Sequence, residues 1–366
     1  MNPERLWYLA LALIPGMGPL RFRLVCERLG SPERAFYASE KELKAIGLPA
    51  SLAKLLDPHE ALARAKKEYE DLCRLGADFL TLEDPEYPPL LRHIFDPPPV
   101  LFYKGSLKWG DYLLAVVGSR AATSYGRRIT REWVKEIVRA EVTIVSGLAR
   151  GIDTTAHEAA LEGGGRTIAV LGCGLDQDYP PGNRYLAQRI AQKGVLLTEF
   201  PLGTRPRPQN FPVRNRIISG LSQAVLVVEA SPRSGSLITA RLAAEQGREV
   251  MAIPGAVYSY RSHGCHRLIR EGALLVDRPE QILEVLGLSD LSFGSGPGDS
   301  KAKERLTLAP EEAKVWQVME VYPLHLDEIA HRAGVEVSQV SGILLALELK
   351  GMVQSIPGNF YQKVIE

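Results

Sequence analysis

The stretch from Thr204 to Ser222, TRPRPQNFPVRNRIISGLS, sets Arg205, Arg207, Arg214 and Arg216 around Asn210 and Phe211 with no acidic residue among them. Guanidinium groups pair with phosphate oxygens in fork geometry. An aromatic ring among cations offers a face on which an unpaired base can stack. The chemistry on offer is therefore the holding of a flexible polyanion. The plainer alternative is a core phenylalanine flanked by arginines in surface ion pairs. Charge distribution points to the same part of the chain: residues 112–290 carry 22 basic and 17 acidic side chains, residues 1–110 carry 15 of each, and residues 305–366 carry 5 and 8. A polyanion meets the middle segment first.

Apolar runs in that segment end in glycine-bearing turns: Gly118-Ser119-Arg120, the Ser146-to-Gly151 turn with Gly147 and Arg150, Gly172-Cys173-Gly174, and Pro254-Gly255. In parallel α/β sheets ligands bind outside the carboxyl ends of the strands, where amides and helix amino termini face an anion. The first turn, GSRAATSYG, lacks GxGxxG, no acidic residue ends the second strand, and GxxxxGK[ST] is absent. Neither a dinucleotide nor a P-loop nucleotide is expected, and no cofactor is assigned. Asp153 and His157 are spaced i, i+4 on one helical face, but Asp153 reads as a helix N-cap and His157 as a core histidine. No catalytic residue is assigned. His263, Cys265 and His266 lack further ligands at workable spacing, so no metal is expected.

The elements that must position these residues follow from periodicity. YLLAVVGS, VTIVSG, RTIAVLG, VLLTEF, QAVLVVEA and EVMAIPG alternate with amphipathic stretches. Continuous apolar strands separated by helices imply a parallel sheet covered on both faces, an α/β Rossmann-like doubly wound core. With 366 residues, more than one domain is required. Residues 1–82 read as a helical domain, 83–110 as a proline-rich connector with six prolines between Glu83 and Val100, 111–288 as the core, 289–304 as a flexible linker, and 305–366 as three helices and a hairpin, a winged helix. A hydrophobic share of 45% with 24% charge excludes a largely disordered chain and a polytopic membrane protein. Four dispersed cysteines fit a reducing cytoplasm. Glu4 cancels Arg5 ahead of the apolar Leu6–Ile14 run, against a secretory signal.

At the motifs GSR (118–120), SGLARGID (146–153), LGCGLDQDYPPGN (171–183), TEFPLGTRP (198–206), NFPVRNRIISGLS (210–222), EASPRSGSLITA (229–240) and GCHRLIREGALLV (264–276) the chain resembles the DprA/Smf family of DNA-processing proteins. The resemblance implies a protein that binds single-stranded DNA, forms homodimers and helps load the RecA recombinase during natural transformation, with no catalysis. It places the strand-binding pocket at Gly118, Ser119, Arg120, Gly147, Arg150, Gly151, Asn210, Phe211, Arg214, Asn215 and Arg216. Several relatives carry lysine where this chain has Pro208, and Arg205 or Arg207 is offered as its replacement. Leu268, Ile269 and Leu275 are the expected dimer contacts.

A second class is a LOG-type nucleoside monophosphate phosphoribohydrolase, since Glu229 and the Ser234-Gly235-Ser236 turn sit on a similar sheet. PRSGSLITA lacks the acid that N-glycosidic hydrolysis needs as acid/base. At the amino end, Pro15-Gly16-Met17-Gly18-Pro19 with Arg21 and Arg23 reads as a helix-hairpin-helix turn able to touch a duplex, or as a plain tight turn. The sequence of the third tail helix, SQVSGILLALELK, has Lys350 as its one cation, so the winged helix is expected to contact protein rather than grip DNA.

Overall fold

The computed structural model describes residues 3–288, 309–320, 323–350 and 352–363; the expected linker at 289–304 lies outside these. The chain divides into two units, residues 1–292 and 293–366, taken here one at a time.

The first unit opens with α1 (Pro3–Ala12), α2 (Pro19–Leu29), α3 (Pro32–Tyr37), α4 (Glu40–Ala45), α5 (Ala50–Ala53) and α6 (Pro58–Leu75). Local chemistry sets their ends. Ser31, Ser39 and Asp57 each accept a bond from the backbone three residues on, capping α3, α4 and α6.

Nine strands follow in one sheet: β1 (Asp78–Thr81), β2 (Val100–Gly105), β3 (Leu113–Val117), β4 (Thr143–Ser146), β5 (Thr167–Val170), β6 (Val195–Thr198), β7 (Ala224–Val227), β8 (Glu249–Ala252) and β9 (Leu274–Leu275). The helices between and after them are α7 (Pro89–Arg92), α8 (Ser124–Ile137), α9 (Ile152–Glu162), α10 (Arg184–Lys193), α11 (Asn210–Leu221), α12 (Gly235–Glu245), α13 (His263–Arg270) and α14 (Pro279–Val285). Strand order is β1-β2-β6-β5-β4-β3-β7-β8-β9. Pairing from β6 across to β9 is parallel, while β2 runs antiparallel to β6 and to β1. Every residue of β3 to β7 is buried, as strands covered on both faces require.

The sheet reaches further back along the chain than the sequence suggested. β1 lies in the expected helical domain and β2 in the expected connector. Nor do the amino-terminal helices close a core alone: Trp7, Leu9, Phe22 and Leu72 share one apolar cluster with Phe79, Phe102, Ala169 and Leu196. Proline confines itself to the ends of these elements, Pro89 opening α7 and Pro97 to Pro99 leading into β2.

Topology fixes where a ligand belongs. The chain builds β3, β4, β5 and β6 outward, and α11 then carries it back to β7 on the other side of β3. Loops leaving β3 and β4 part company there with the loop leaving β7, which opens a crevice at the strands' carboxyl ends.

The second unit contains α15 (Pro310–Val318), β10 (Leu324–His325), α16 (Leu326–Ala333), α17 (Val337–Leu349), β11 (Val353–Ile356) and β12 (Phe360–Lys363), with strand order β10-β12-β11. Val315, Ile329, Val340, Leu344 and Leu347 form its core. This is a winged helix. Among the described residues no helix is long and apolar enough to cross a membrane.

Candidate nucleic-acid interface

A cleft of about 680 Å³ opens at the switch between β3 and β7. One wall is the turn after β3, with Gly118, Ser119 and Arg120; the other is the turn after β7, with Ser231, Arg233 and Ser234. The amino-terminal part of α11 lies between them and contributes Phe211, Arg214 and Asn215.

Phe211 is fixed by its neighbours. Asn210 Nδ2 donates to the Gly172 carbonyl at 3.1 Å, and a Cβ on Gly172 would stand 2.8 Å from the phenyl ring, so the ring rests directly on that backbone. Tyr179 packs beside it with centroids 5.2 Å apart and planes tilted by 34°. The exposed Arg120 holds its guanidinium 5.2 Å from the ring centroid and has no salt bridge among the described residues. An arginine parked on an aromatic face is a cation already in place for a phosphate beside a stacked base.

Arg214 is buried and forms the floor. Its Nη1 donates to the carbonyls of Gly147, at 2.8 Å, and Val170, and its Nε to Asn215 Oδ1 at 3.2 Å. Nη2 has no hydrogen-bond partner among the described residues, and the side chain lines the cleft. Burial pushes the guanidinium down to about 10, against the pull of the Asp153 carboxylate. Asp153 is the one carboxylate among the lining residues. Its Oδ2 accepts from the amides of Gly147 at 3.2 Å and Ala149 at 3.4 Å, and burial raises it to about 6 in spite of Arg214.

Arg216 departs from its expected role. It is buried away from the cleft lining, its Nε 3.1 Å from Asp96 and its Nη2 on Glu199. Residues two apart on a helix point to nearly opposite sides, so on α11 Arg214 reaches the cleft while Arg216 reaches Asp96 and Glu199. The glycines also act otherwise than expected. The Gly147 amide is already given to Asp153, and its Cα lies against Arg214, where a Cβ would come within 2.6 Å. Gly151 has φ +83°, and a Cβ there would sit 2.2 Å from the Ser119 carbonyl. Gly118 lines the cleft but is packed on Ile152. These positions need glycine for close packing rather than to bare an amide. Arg150 is exposed and lies outside the lining.

Asp153 is the second residue of α9 and Gly151 is the N-cap, so the carboxylate ties the preceding turn instead of capping the helix. His157 is fully buried against Thr167 Oγ1 at 2.6 Å, and burial lowers it to about 3. Glu229 binds the Thr123 amide at 3.0 Å and anchors α8, outside the cleft lining. His266 Nε2 meets the Gly255 carbonyl at 3.0 Å, and among the described residues no His, Cys, Asp or Glu cluster is arranged to hold a metal. Arg21 and Arg23 are exposed, each donating to a nearby carbonyl, Gly16 and Phe95 respectively.

Pro208 itself lines the cleft, as does Pro206, whereas Arg205 and Arg207 do not. Arg233, on the far wall, was not anticipated. Its signal was present in SPRSGS: a cation in a strand-end turn immediately before a helix. Tyr179 was missed because the preceding loop carries no periodicity. Of the expected dimer contacts, Leu268 and Ile269 are half-buried against the core, and Leu275, 42% exposed, lies on the edge strand β9 beside Leu274.

The family model described as DNA recombination-mediator protein A matches residues 78–287, starting at β1, and the DprA winged helix domain matches residues 300–359. Protein Smf of Synechocystis sp. is 37% identical over 396 residues, covering 99% of both chains. Protein Smf of Escherichia coli is 42% identical over 332 residues, covering 88% of each. DNA processing protein A from Streptococcus pneumoniae matches in structure with TM-score 0.65 at 36% identity, over 78% of this chain and 98% of that one. DNA processing protein A from Helicobacter pylori, described for its single-stranded DNA binding mode, matches with TM-score 0.52 at 31% identity, over 57% and 95%. Since sheet, switch-point cleft and winged helix all fall within these matches, the chain belongs to the DprA/Smf family of DNA-processing proteins.

Proposed function

We propose that this chain is a binding protein for single-stranded DNA that hands the strand to the RecA recombinase during transformation, and that it is a mediator rather than an enzyme. The observation that carries the reading is Arg120, exposed, without a salt bridge and poised over Phe211 in a cleft at the switch point of the sheet. Phosphates lie against Arg120, Arg233 and the free Nη2 of Arg214, and a base stacks in the aromatic corner of Phe211 and Tyr179. Arg233 supplies the charge that Pro208 does not. Binding is tolerant of sequence, because stacking uses a face that every base has.

A homodimer through the β9 edge, where Leu274 and Leu275 are exposed, places two clefts on one particle and raises effective concentration along a strand. A cytoplasmic location follows from the RecA partnership. Against the hydrolase alternative, PRSGSLITA lacks the acid of the hydrolase motif, and Glu229 is held by Thr123 outside the cleft lining.

The test is titration of labelled oligo-dT and of duplex DNA at two salt concentrations, for wild type and Arg120→Ala, beside a free-base release assay on nucleoside monophosphates. Salt-sensitive oligo-dT binding that the variant loses supports the reading. Base release by the wild type overturns it in favour of the hydrolase.

A further inference from the structure

The turn between β8 and α13 holds three exposed apolar side chains: Tyr258 is 99% exposed, Tyr260 60%, and Val257 73%. Single exposed apolar residues are ordinary, but three within four residues on a tied-down turn are not. The turn is tied at each end. Ser259 N donates to the Ala256 carbonyl and Ser262 N to the Ser259 carbonyl, both at 2.9 Å. Gly255 is pressed against Ser262, where a Cβ would stand 2.2 Å from the hydroxyl. His266 Nε2 meets the Gly255 carbonyl at 3.0 Å.

The same turn is fastened to the cleft wall. Ala230 N donates to the Arg261 carbonyl at 2.8 Å, and Gly264 N donates to the Ala230 carbonyl at 2.7 Å. Ala230 is followed at once by Ser231, which lines the cleft with Arg233. Tyr260 is thus one residue from a hydrogen bond to the strand end that forms the wall.

Charge identifies the occupant. From Met251 to Arg270 the chain has Arg261, Arg270, His263 and His266 and no acidic residue, while Arg267 is paired with Glu271 at 2.7 Å. A cationic surface of this kind suits a polyanion. Tyrosine combines a flat apolar face with a polar rim, as a wet stacking surface needs.

Resting on the reading of the cleft as a single-strand site, we propose that Tyr258 and Tyr260 form a second stacking platform, on which bases of the same DNA strand lie after it leaves the cleft past Arg233. The cleft holds the first nucleotides, and the platform extends the footprint along the β8 side of the rim.

The experiment compares oligo-dT of about 6 and about 20 nucleotides, within and beyond the footprint typical of one single-strand module. It uses the full chain as wild type, as Tyr258→Ala/Tyr260→Ala and as Tyr258→Phe/Tyr260→Phe. The alanine pair is expected to leave short-oligomer affinity unchanged and to weaken the long one about tenfold, with phenylalanine restoring it. An oligo-dT bearing 5-iodouracil is expected to photo-crosslink to Tyr258 or Tyr260, read by peptide mapping. Equal length dependence in wild type and alanine variant overturns the platform while leaving the cleft intact. A changed mass by light scattering with long-oligomer affinity unaltered overturns it too, and assigns the tyrosines to contact between copies. If wild type binds neither length, the cleft reading and the platform fall together.

Discussion

Arg120, in the turn after β3, and Arg216, on α11, differ in everything except residue type. Arg216 is buried between Asp96 and Glu199, and its charge is spent inside the fold. Arg120 is exposed, has no carboxylate partner among the described residues, and rests on the face of Phe211. A buried ion pair holds structure in place because removing one member strands the other in low dielectric. A cation over an aromatic ring at the surface keeps its charge available. Cationic content therefore does not say which arginine meets a ligand; the partners each one finds do.

The sharpest break in the comparison is Arg216→Ala. It leaves the largely buried Glu199 without its cation, and the expected loss is about 3–5 kcal/mol of stability, read as a lower urea midpoint. Oligo-dT affinity of the folded fraction should stay within about twofold, since the side chain lies outside the cleft. A collapse of affinity at unchanged stability would show that Arg216 reaches the strand. Arg120→Ala should do the reverse: about ten- to a hundredfold weaker oligo-dT binding, a salt dependence shallower by about one counterion, and an unchanged midpoint.

These outcomes bear on what the sequence could convey. Parallel strands buried on both faces announce themselves as unbroken apolar runs, so β3 to β8 were legible, and so was the rim of turns at their carboxyl ends. β1 and β2 were not, because DFLT is short and three prolines run straight into VLFYKG. Within the site, the residue types and their stretch were legible, whereas the orientation of α11 was not. Arg214 and Arg216 look equivalent in a basic run; only packing of the helix against Gly147 on one side and Glu199 on the other separates them. Arg233 lay outside the basic run altogether, and only the crossing from β6 back to β7 brings its turn opposite Arg120.

Asp153 gives a smaller, pH-dependent test of the cleft floor. Burial raises it from 3.8 to about 6 in the folded chain, so the folded state holds a proton that the unfolded chain releases. The stabilisation this provides is complete below the unfolded value and is lost as pH rises through the folded one. His157, lowered to about 3, acts in the opposite sense but is present in both proteins, so it cancels when wild type is compared with Asp153→Asn. The melting temperature of wild type minus that of the variant should increase as pH falls from about 7 towards about 4. Oligo-dT affinity should strengthen over the same range in wild type only, because the carboxylate that competes with phosphate for Arg214 loses its charge. A difference that does not change with pH would mean Asp153 is ionised throughout and the floor is a plain ion pair.

The winged helix supplies the smallest expected effect. On α17 and just past it, Leu345 is 58% exposed and Leu349 83%, and the adjacent Lys350 is held by Glu312 at 2.7 Å. Apolar surface is present there as it is at the cleft, but the cation beside it is already paired, which is the Arg216 pattern repeated at the surface. Exposed pairs of this kind contribute little to stability. Lys350→Gln should therefore lower the urea midpoint only slightly and leave both the affinity for oligo-dT and its salt slope where they were. A measurable drop in the salt slope would place Lys350 on a phosphate, and the expectation that the winged helix contacts protein rather than DNA would have to be given up.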